Sequence, residues 1–150
     1  MPIEIDNKLN CKDFIRLNEL WITEHFQIEE PDRKLATNPM KIVTDGGHII
    51  SLVEDGRVVG VCALFKENNH RFQLGRMAVE PRERGKGYGN TLIRAALAHA
   101  HDLGGSSVFL FSNTVLKPAI ALYRKHAFEV VSEGPHPIYA RCNIMMERQL

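Results

Sequence analysis

Between Val79 and Leu92 the chain reads VEPRERGKGYGNTL, which sets Gly85, Gly87 and Gly89 at alternate positions among Arg82, Arg84 and Lys86. An apolar run precedes the segment and a helix-like one follows it. Such an arrangement is built to hold an anion. The first N–H groups of a helix have no partner within the helix, and its dipole favours negative charge. Glycines remove the Cβ atoms that would keep a ligand off the backbone. Two nucleotide loops are excluded. The P-loop needs a glycine where Glu80 stands and Ser or Thr where Gly87 stands. The dinucleotide fingerprint fails at Asn90 when read from Gly85 and at Leu92 when read from Gly87. What remains is Arg-x-x-Gly-x-Gly at Arg84, Gly87 and Gly89.

Other reactive side chains point away from several classes of chemistry. The seven histidines include His99 and His101, which diverge on a helix, and there is no HExxH or Cys/His cluster, so no metal is expected. Cys11, Cys62 and Cys142 are odd in number and lack a CxxC pair, which suits unreactive thiols in a reducing compartment. The start, MPIEIDNKLN, has no basic region ahead of an apolar one, and a cytoplasmic location is expected. The longest apolar run, Val58 to Phe65, falls far short of the ~20 residues that span a bilayer. A formal net charge of +1 gives no case for nucleic acid. The 150 residues are expected to form one domain around one core.

Periodicity supplies the elements that must position these groups. A first strand is expected around Ile3-Glu4-Ile5. Phe14, Leu17, Trp21, His25 and Ile28 recur at three- and four-residue steps along one helix face, and Glu30-Pro31 opens a second, short helix. Ile49 to Val53 and Val58 to Phe65 read as strands joined at Asp55-Gly56, a type I′ hairpin signal. A turn over Lys66 to Asn69 leads into a strand from Arg71 to Val79. In that strand Phe72 and Leu74 are apolar in one phase, Met77 and Val79 in the other. A β-bulge near Gly75-Arg76 would bring both pairs to one face.

A helix follows with an apolar stripe of Leu92, Ile93, Ala96, Leu97, Ala100 and Leu103, stopped by Gly104-Gly105. Then come a strand from Val108 to Phe111, and a helix opening at Pro118 with Ala119, Leu122, Tyr123 and His126 on one face. Strands from Phe128 to Val131 and from Tyr139 to Met146 end the chain. The order is β-αα-βββ-α-β-α-ββ, a mixed sheet flanked by helices, in the α/β (α+β) class.

The glycine segment resembles motif A of the GNAT superfamily of acyl-CoA-dependent N-acyltransferases. The likeness extends to Leu116 through Phe128 (LKPAIALYRKHAF), similar to the family's Ala-Ile-x-Leu-Tyr-x-x-x-Gly-Phe segment. It also covers Leu17 to Ile22, Phe26 to Asp32, and Tyr139 to Met146. Ala127 stands where the family often has glycine. Gln73 stands where relatives often carry a glutamate, and an amide cannot serve as a carboxylate base.

The resemblance implies a GNAT-like fold with a bulged, splayed fourth strand, and acetyl-CoA as co-substrate. Backbone N–H groups of Gly85, Lys86, Gly87, Tyr88, Gly89 and Asn90 would take its pyrophosphate. Arg84, Lys86 or Arg82 would meet its phosphate charge. The pantetheine arm would pair with Met77, Ala78 and Val79, and Asn113 would hydrogen-bond it. The implied chemistry is thioester aminolysis. The N–H freed by the bulge, at Met77, would hold the oxyanion, and Tyr123 would protonate the leaving thiolate. For the general base Glu24, His25, Glu29 and His136 all stand open.

The acceptor would enter near Trp21, His25, Phe26, Glu29, Glu30, Tyr139 and Arg141. A small amine, amino acid or polyamine-like acceptor is expected, with a protein N-terminus or lysine, or a non-catalytic acyl-CoA sensor, as alternatives. The acids Glu24, Glu29, Glu30 and Asp32 would suit a cationic acceptor, and Arg141 a substrate carboxylate. The family also allows a homodimer.

Overall fold

The computed structural model describes residues 2–150. Strand β1 (Ile3–Ile5) precedes a 3-10 turn, Lys8–Asn10, and helix α1 (Cys11–His25), whose buried face carries Cys11, Phe14, Leu17, Asn18 and Ile22. The helix ends at His25, so Ile28 lies beyond it. Phe26 leaves helical geometry with φ −148° and ψ −155°, although its N–H still closes the last turn on Ile22. Helix α2 (Glu30–Thr37) starts with Pro31 in its first turn, where a missing N–H costs nothing. Its capping box is reciprocal. The Glu29 carboxylate accepts from the Asp32 backbone, and the Asp32 carboxylate accepts from the Glu29 N–H at 2.8 Å. A further one-turn helix, α3 (Lys41–Thr44), has no clear signature in the sequence.

Strands β2 (His48–Glu54) and β3 (Arg57–Asn68) form the expected hairpin, with positive φ at both Asp55 and Gly56. Strand β3 runs on through the expected turn to Asn68, and β4 (Arg71–Val79) begins after Asn69-His70. Helix α4 (Tyr88–Asp102), β5 (Ser107–Ser112), α5 (Lys117–Lys125), β6 (Glu129–Glu133) and β7 (Ile144–Gln149) complete the chain. The seven strands lie in the order β1-β2-β3-β4-β5-β7-β6. All neighbours are antiparallel except β4 and β5.

Two irregularities in β4 shape the molecule. Val61 pairs with Ala78 and Ala63 with Gly75, so two steps along β3 match three along β4. The extra residue lies at Arg76-Met77, and Arg76 takes the left-handed φ of 56°. The bulge has the expected consequence. Phe72, Leu74, Met77 and Val79 all pack on the α4 face of the sheet, while Ala78 turns to the α1 face. The second irregularity is that β4 pairs with β5 only from Arg71 to Gln73, although β5 continues to Ser112. Beyond Gln73 the two strands part.

Apolar side chains fill both faces of the sheet. One core joins α4 through Leu92, Ile93, Ala96, Leu97 and Ala100 to the strands; the other joins α1 through Phe14 and Leu17. Leu103, expected in the α4 stripe, is the C-cap residue and is largely exposed. Residues Tyr139 to Asn143, expected as strand, form a turn in which the Cys142 N–H bonds the Tyr139 carbonyl. Their alternating pattern is overridden because Arg141 is drawn into a buried ionic network.

Candidate active site

The parting of β4 from β5 opens a cavity of about 300 Å³ through the sheet. Leu74, Met77, Leu116 and Tyr123 line it on one side, and Asn18, Trp21, Phe26 and Phe65 on the other. Gln73, Gly75 and Arg76 of β4 face Phe111, Ser112 and Asn113 at the end of β5 across it. Sheet geometry thus brings Met77, Asn113, Tyr123, Trp21 and Arg141 to one space. Ala78 is buried and Val79 half-buried on the same strand, just outside the cavity lining.

The glycine loop lies between β4 and α4. Gly85 and Gly87 have φ of 84° and 81°, and a Cβ built on either meets nothing within 4 Å. The backbone is therefore open on the side a ligand would approach. Gly87 is the N-cap of α4, with Tyr88, Gly89 and Asn90 forming its first turn. Gly89 serves packing, since a Cβ there would lie 3.1 Å from the Leu122 side chain of α5. The Asn90 side-chain oxygen meets His126 Nε2 at 2.8 Å, tying α4 to the end of the helix that carries Tyr123. Tyr88 is buried, its hydroxyl hydrogen-bonded to the Glu54 carboxylate.

Two of the loop's three cations, Arg84 and Lys86, already have partners. Arg84 forks Glu24 of α1 at 2.8 and 2.6 Å, and Lys86 pairs with Glu83. The Glu24 hydrogen bond raises the Arg84 pKa, and the Arg84 bond lowers that of Glu24. Arg82 is exposed.

Tyr123 is half-buried on α5, its ring 6.1 Å from that of Phe128. Burial, with Cys62 as a neighbour, pushes its phenol up to about 12. Asn113 donates to the Arg141 carbonyl at 2.9 Å and accepts from the Val115 N–H at 3.0 Å.

A buried ionic network, absent from the sequence reading, closes the other end. Asp32, with its side chain only 3% exposed, accepts from Arg76 at 2.5 Å and from both terminal nitrogens of Arg141 at 2.7 Å. Burial raises the Asp32 carboxyl, but the Arg141 hydrogen bonds, the Glu29 backbone and the two guanidiniums outweigh it and hold it low. Glu29 accepts from Arg141 and from the Ala140 N–H, both at 3.0 Å. Arg76 also donates to the Tyr139 hydroxyl at 2.6 Å. The two carboxylates balance the two guanidiniums. Arg141 thus faces the cavity with its charge already met, and Glu29 braces it from outside the lining. No local pattern announces this network, since Asp32 lies 44 residues from Arg76 and 109 from Arg141.

None of Glu24, His25, Glu29 and His136 lines the cavity. His25 is exposed, its ring 5.2 Å from Trp21. His136 accepts the N–H groups of Ile138 and Tyr139 at 3.0 Å through Nδ1. Among the described residues no group of three His, Cys, Asp or Glu could hold a metal ion, and no helix is long and apolar enough to cross a membrane.

Comparison with known proteins matches this architecture. The chain is 30% identical over 107 residues to the streptothricin acetyltransferase of Streptomyces lavendulae, covering 63% of this chain and 57% of that relative's length. Its fold is similar to that of a GNAT-family acetyltransferase from Staphylococcus aureus Mu50, with TM-score 0.85 and 18% identity over 99% of each chain. It is also similar to a putative acetyltransferase of Salmonella typhimurium solved with its cofactor acetyl-CoA. There the TM-score is 0.78 and the identity 19%, over 100% of this chain and 94% of the other. The model of the acetyltransferase (GNAT) family matches residues 13–128. This chain belongs to the GNAT acetyltransferase family.

Proposed function

We propose that this protein moves an acetyl group from acetyl-CoA to the primary amine of a small molecule. The observation that carries the reading is the cavity where bulged β4 leaves β5, with Tyr123 in its wall and an open glycine loop beside it. Acetyl-CoA is supported by the loop itself, where nothing lies within 4 Å of a Cβ built on Gly85 or on Gly87, the N-cap of α4. The Salmonella relative that binds acetyl-CoA has the same fold. A small acceptor is supported by the cavity's size and by the streptothricin acetyltransferase of Streptomyces.

When bound, acetyl-CoA supplies an activated acyl carbon on a thioester. The chain's own groups divide the remaining work. Backbone N–H groups from Gly85 to Asn90, with the α4 dipole, hold the pyrophosphate. The edge of β4 beyond Gln73 has lost its strand partner and lies free to pair with an extended arm. Met77 lies at the bulge with no register partner. Its N–H receives the charge that develops on the carbonyl oxygen, a contribution of about 3 kcal/mol for one such donor. Tyr123 stays protonated at neutral pH and gives its proton to the departing sulfur. The amine loses its proton to water, because Gln73 supplies no carboxylate.

The test is release of free thiol from acetyl-CoA in the presence of amines, with calorimetry of acetyl-CoA binding. Amine-dependent thiol release is expected. Tight acetyl-CoA binding without turnover over a broad amine panel would instead mark a sensor.

A further inference from the structure

The acceptor half of the cavity has a lining that selects among amines. Its wall carries Trp21, Ile22, Phe26, Phe65, Phe111 and Tyr139 beside the neutral polar side chains of Asn18, Gln73 and Ser112, and among the described residues no Asp or Glu lines the cavity. The nearby acids are all engaged. Glu24 is held by Arg84, Glu29 by Arg141, Asp32 by Arg76 and Arg141, and Glu30 lies 3.6 Å from Arg33. Among the described residues the charged groups in the wall are the guanidiniums of Arg76 and Arg141. Tyr139 does not offer a free ring to a cation either, because Arg141 and Arg76 already stand 4.5 and 5.5 Å from its centroid. A polyamine would leave its further ammonium groups buried against apolar and neutral polar side chains and two arginines, with no counter-charge. An apolar body would instead displace water from the half-buried rings of Trp21, Phe26, Phe65 and Phe111.

We propose that this subsite takes a primary amine borne on a single aromatic or apolar body and rejects polyamines and other polycations; this rests on the acetyl-transfer reading above. The volume agrees. A cavity of roughly 150 Å³ accommodates benzene, so about 300 Å³ accommodates one ring beside the thioester end of the donor. The lining also bears on the missing base. An apolar wall disfavours the ammonium form of the bound amine, which leaves the nitrogen lone pair free to attack. The C–N bond forms as the C–S bond breaks, and the amine's proton passes to water.

Trp21 is the only tryptophan of the chain, so its emission reports directly on the cavity wall. The probes are 2-phenylethylamine and tyramine against spermidine and lysine, each assayed for thiol release from acetyl-CoA and titrated against Trp21 emission. The proposal expects kcat/KM for 2-phenylethylamine to exceed that for spermidine roughly a hundredfold, with emission changing at lower concentrations of the aromatic amines. Phe26→Ala should raise KM for 2-phenylethylamine about tenfold while leaving the acetyl-CoA Kd unchanged. Spermidine or lysine equalling the aromatic amines overturns the proposal, as does an unaltered KM in Phe26→Ala. If no amine releases thiol, acetyl transfer fails as a reading, and the emission titration alone decides the subsite. Preferential binding of 2-phenylethylamine upholds it; preferential binding of spermidine refutes it.

Discussion

In the proposed reaction Tyr123 supplies a proton, and burial with Cys62 as a neighbour keeps that proton on the oxygen at neutral pH. Tyr123→Phe keeps the ring and its packing on Phe128 but removes the proton. We expect kcat to fall by about 10² to 10⁴ with the acetyl-CoA Kd unchanged, measured by thiol release and calorimetry. Asp32 has a different task, since it neutralises two guanidiniums in a nearly dry place. Asp32→Asn leaves those charges undercompensated and should cost about 3 to 5 kcal/mol of stability in urea denaturation. The two residues were unequally legible. Tyr123 stands in a contiguous family-like segment, whereas Asp32 reads in the sequence as one of four acids suited to a cationic acceptor. Its partners come from β4 and the turn before β7, and only the folded chain joins them.

At the scale of elements, β4 was read well because its defect is written in its own apolar pattern. A change of phase between Leu74 and Met77 has few physical solutions, and the observed bulge at Arg76-Met77 is one of them. The end of α1 and the start of β7 are less legible, because apolar spacing runs on to Ile28 although Phe26 leaves helical geometry, and through Tyr139 to Asn143 although Arg141 is drawn into the ionic network. Two substitutions probe the loop elements. Gly87→Asp puts a side chain at φ 81° and a carboxylate where a pyrophosphate would lie. We expect acetyl-CoA affinity measured by calorimetry to fall beyond detection while the circular dichroism spectrum persists; retained affinity would remove the loop from the site. Ala127, which follows α5, adopts φ 66° where the family often has glycine. Ala127→Gly should therefore raise stability by about 0.5 to 1 kcal/mol in urea denaturation.

Over the whole molecule, ionic links join parts that function must hold together. Arg84 of the glycine loop grips Glu24 of α1 across 60 residues of sequence, so the proposed donor and acceptor sides share a contact. Acid should loosen the assembly in two stages. His99, His126 and His136 titrate below their ordinary 6.5, chiefly because burial disfavours the imidazolium. His99 also stands edge-on to His48 with its buried Nε2 lacking a partner among the described residues. The unfolded chain then binds more protons, so stability is complete above about pH 6.5 and falls as pH drops below it. Asp32 acts lower. Its depressed carboxyl contributes fully above about pH 3.9 and fails as pH falls further. Calorimetric Tm between pH 7.5 and 3 should show both declines; a constant Tm from pH 7.5 to 5 would contradict the histidine assignment.

If the open glycine loop and the unpartnered edge of β4 together receive the acyl donor, amide hydrogen exchange with and without coenzyme A will report it. New protection is expected at Gly85–Asn90 and Met77–Val79. Protection elsewhere, with these two segments unchanged, would refute donor binding there.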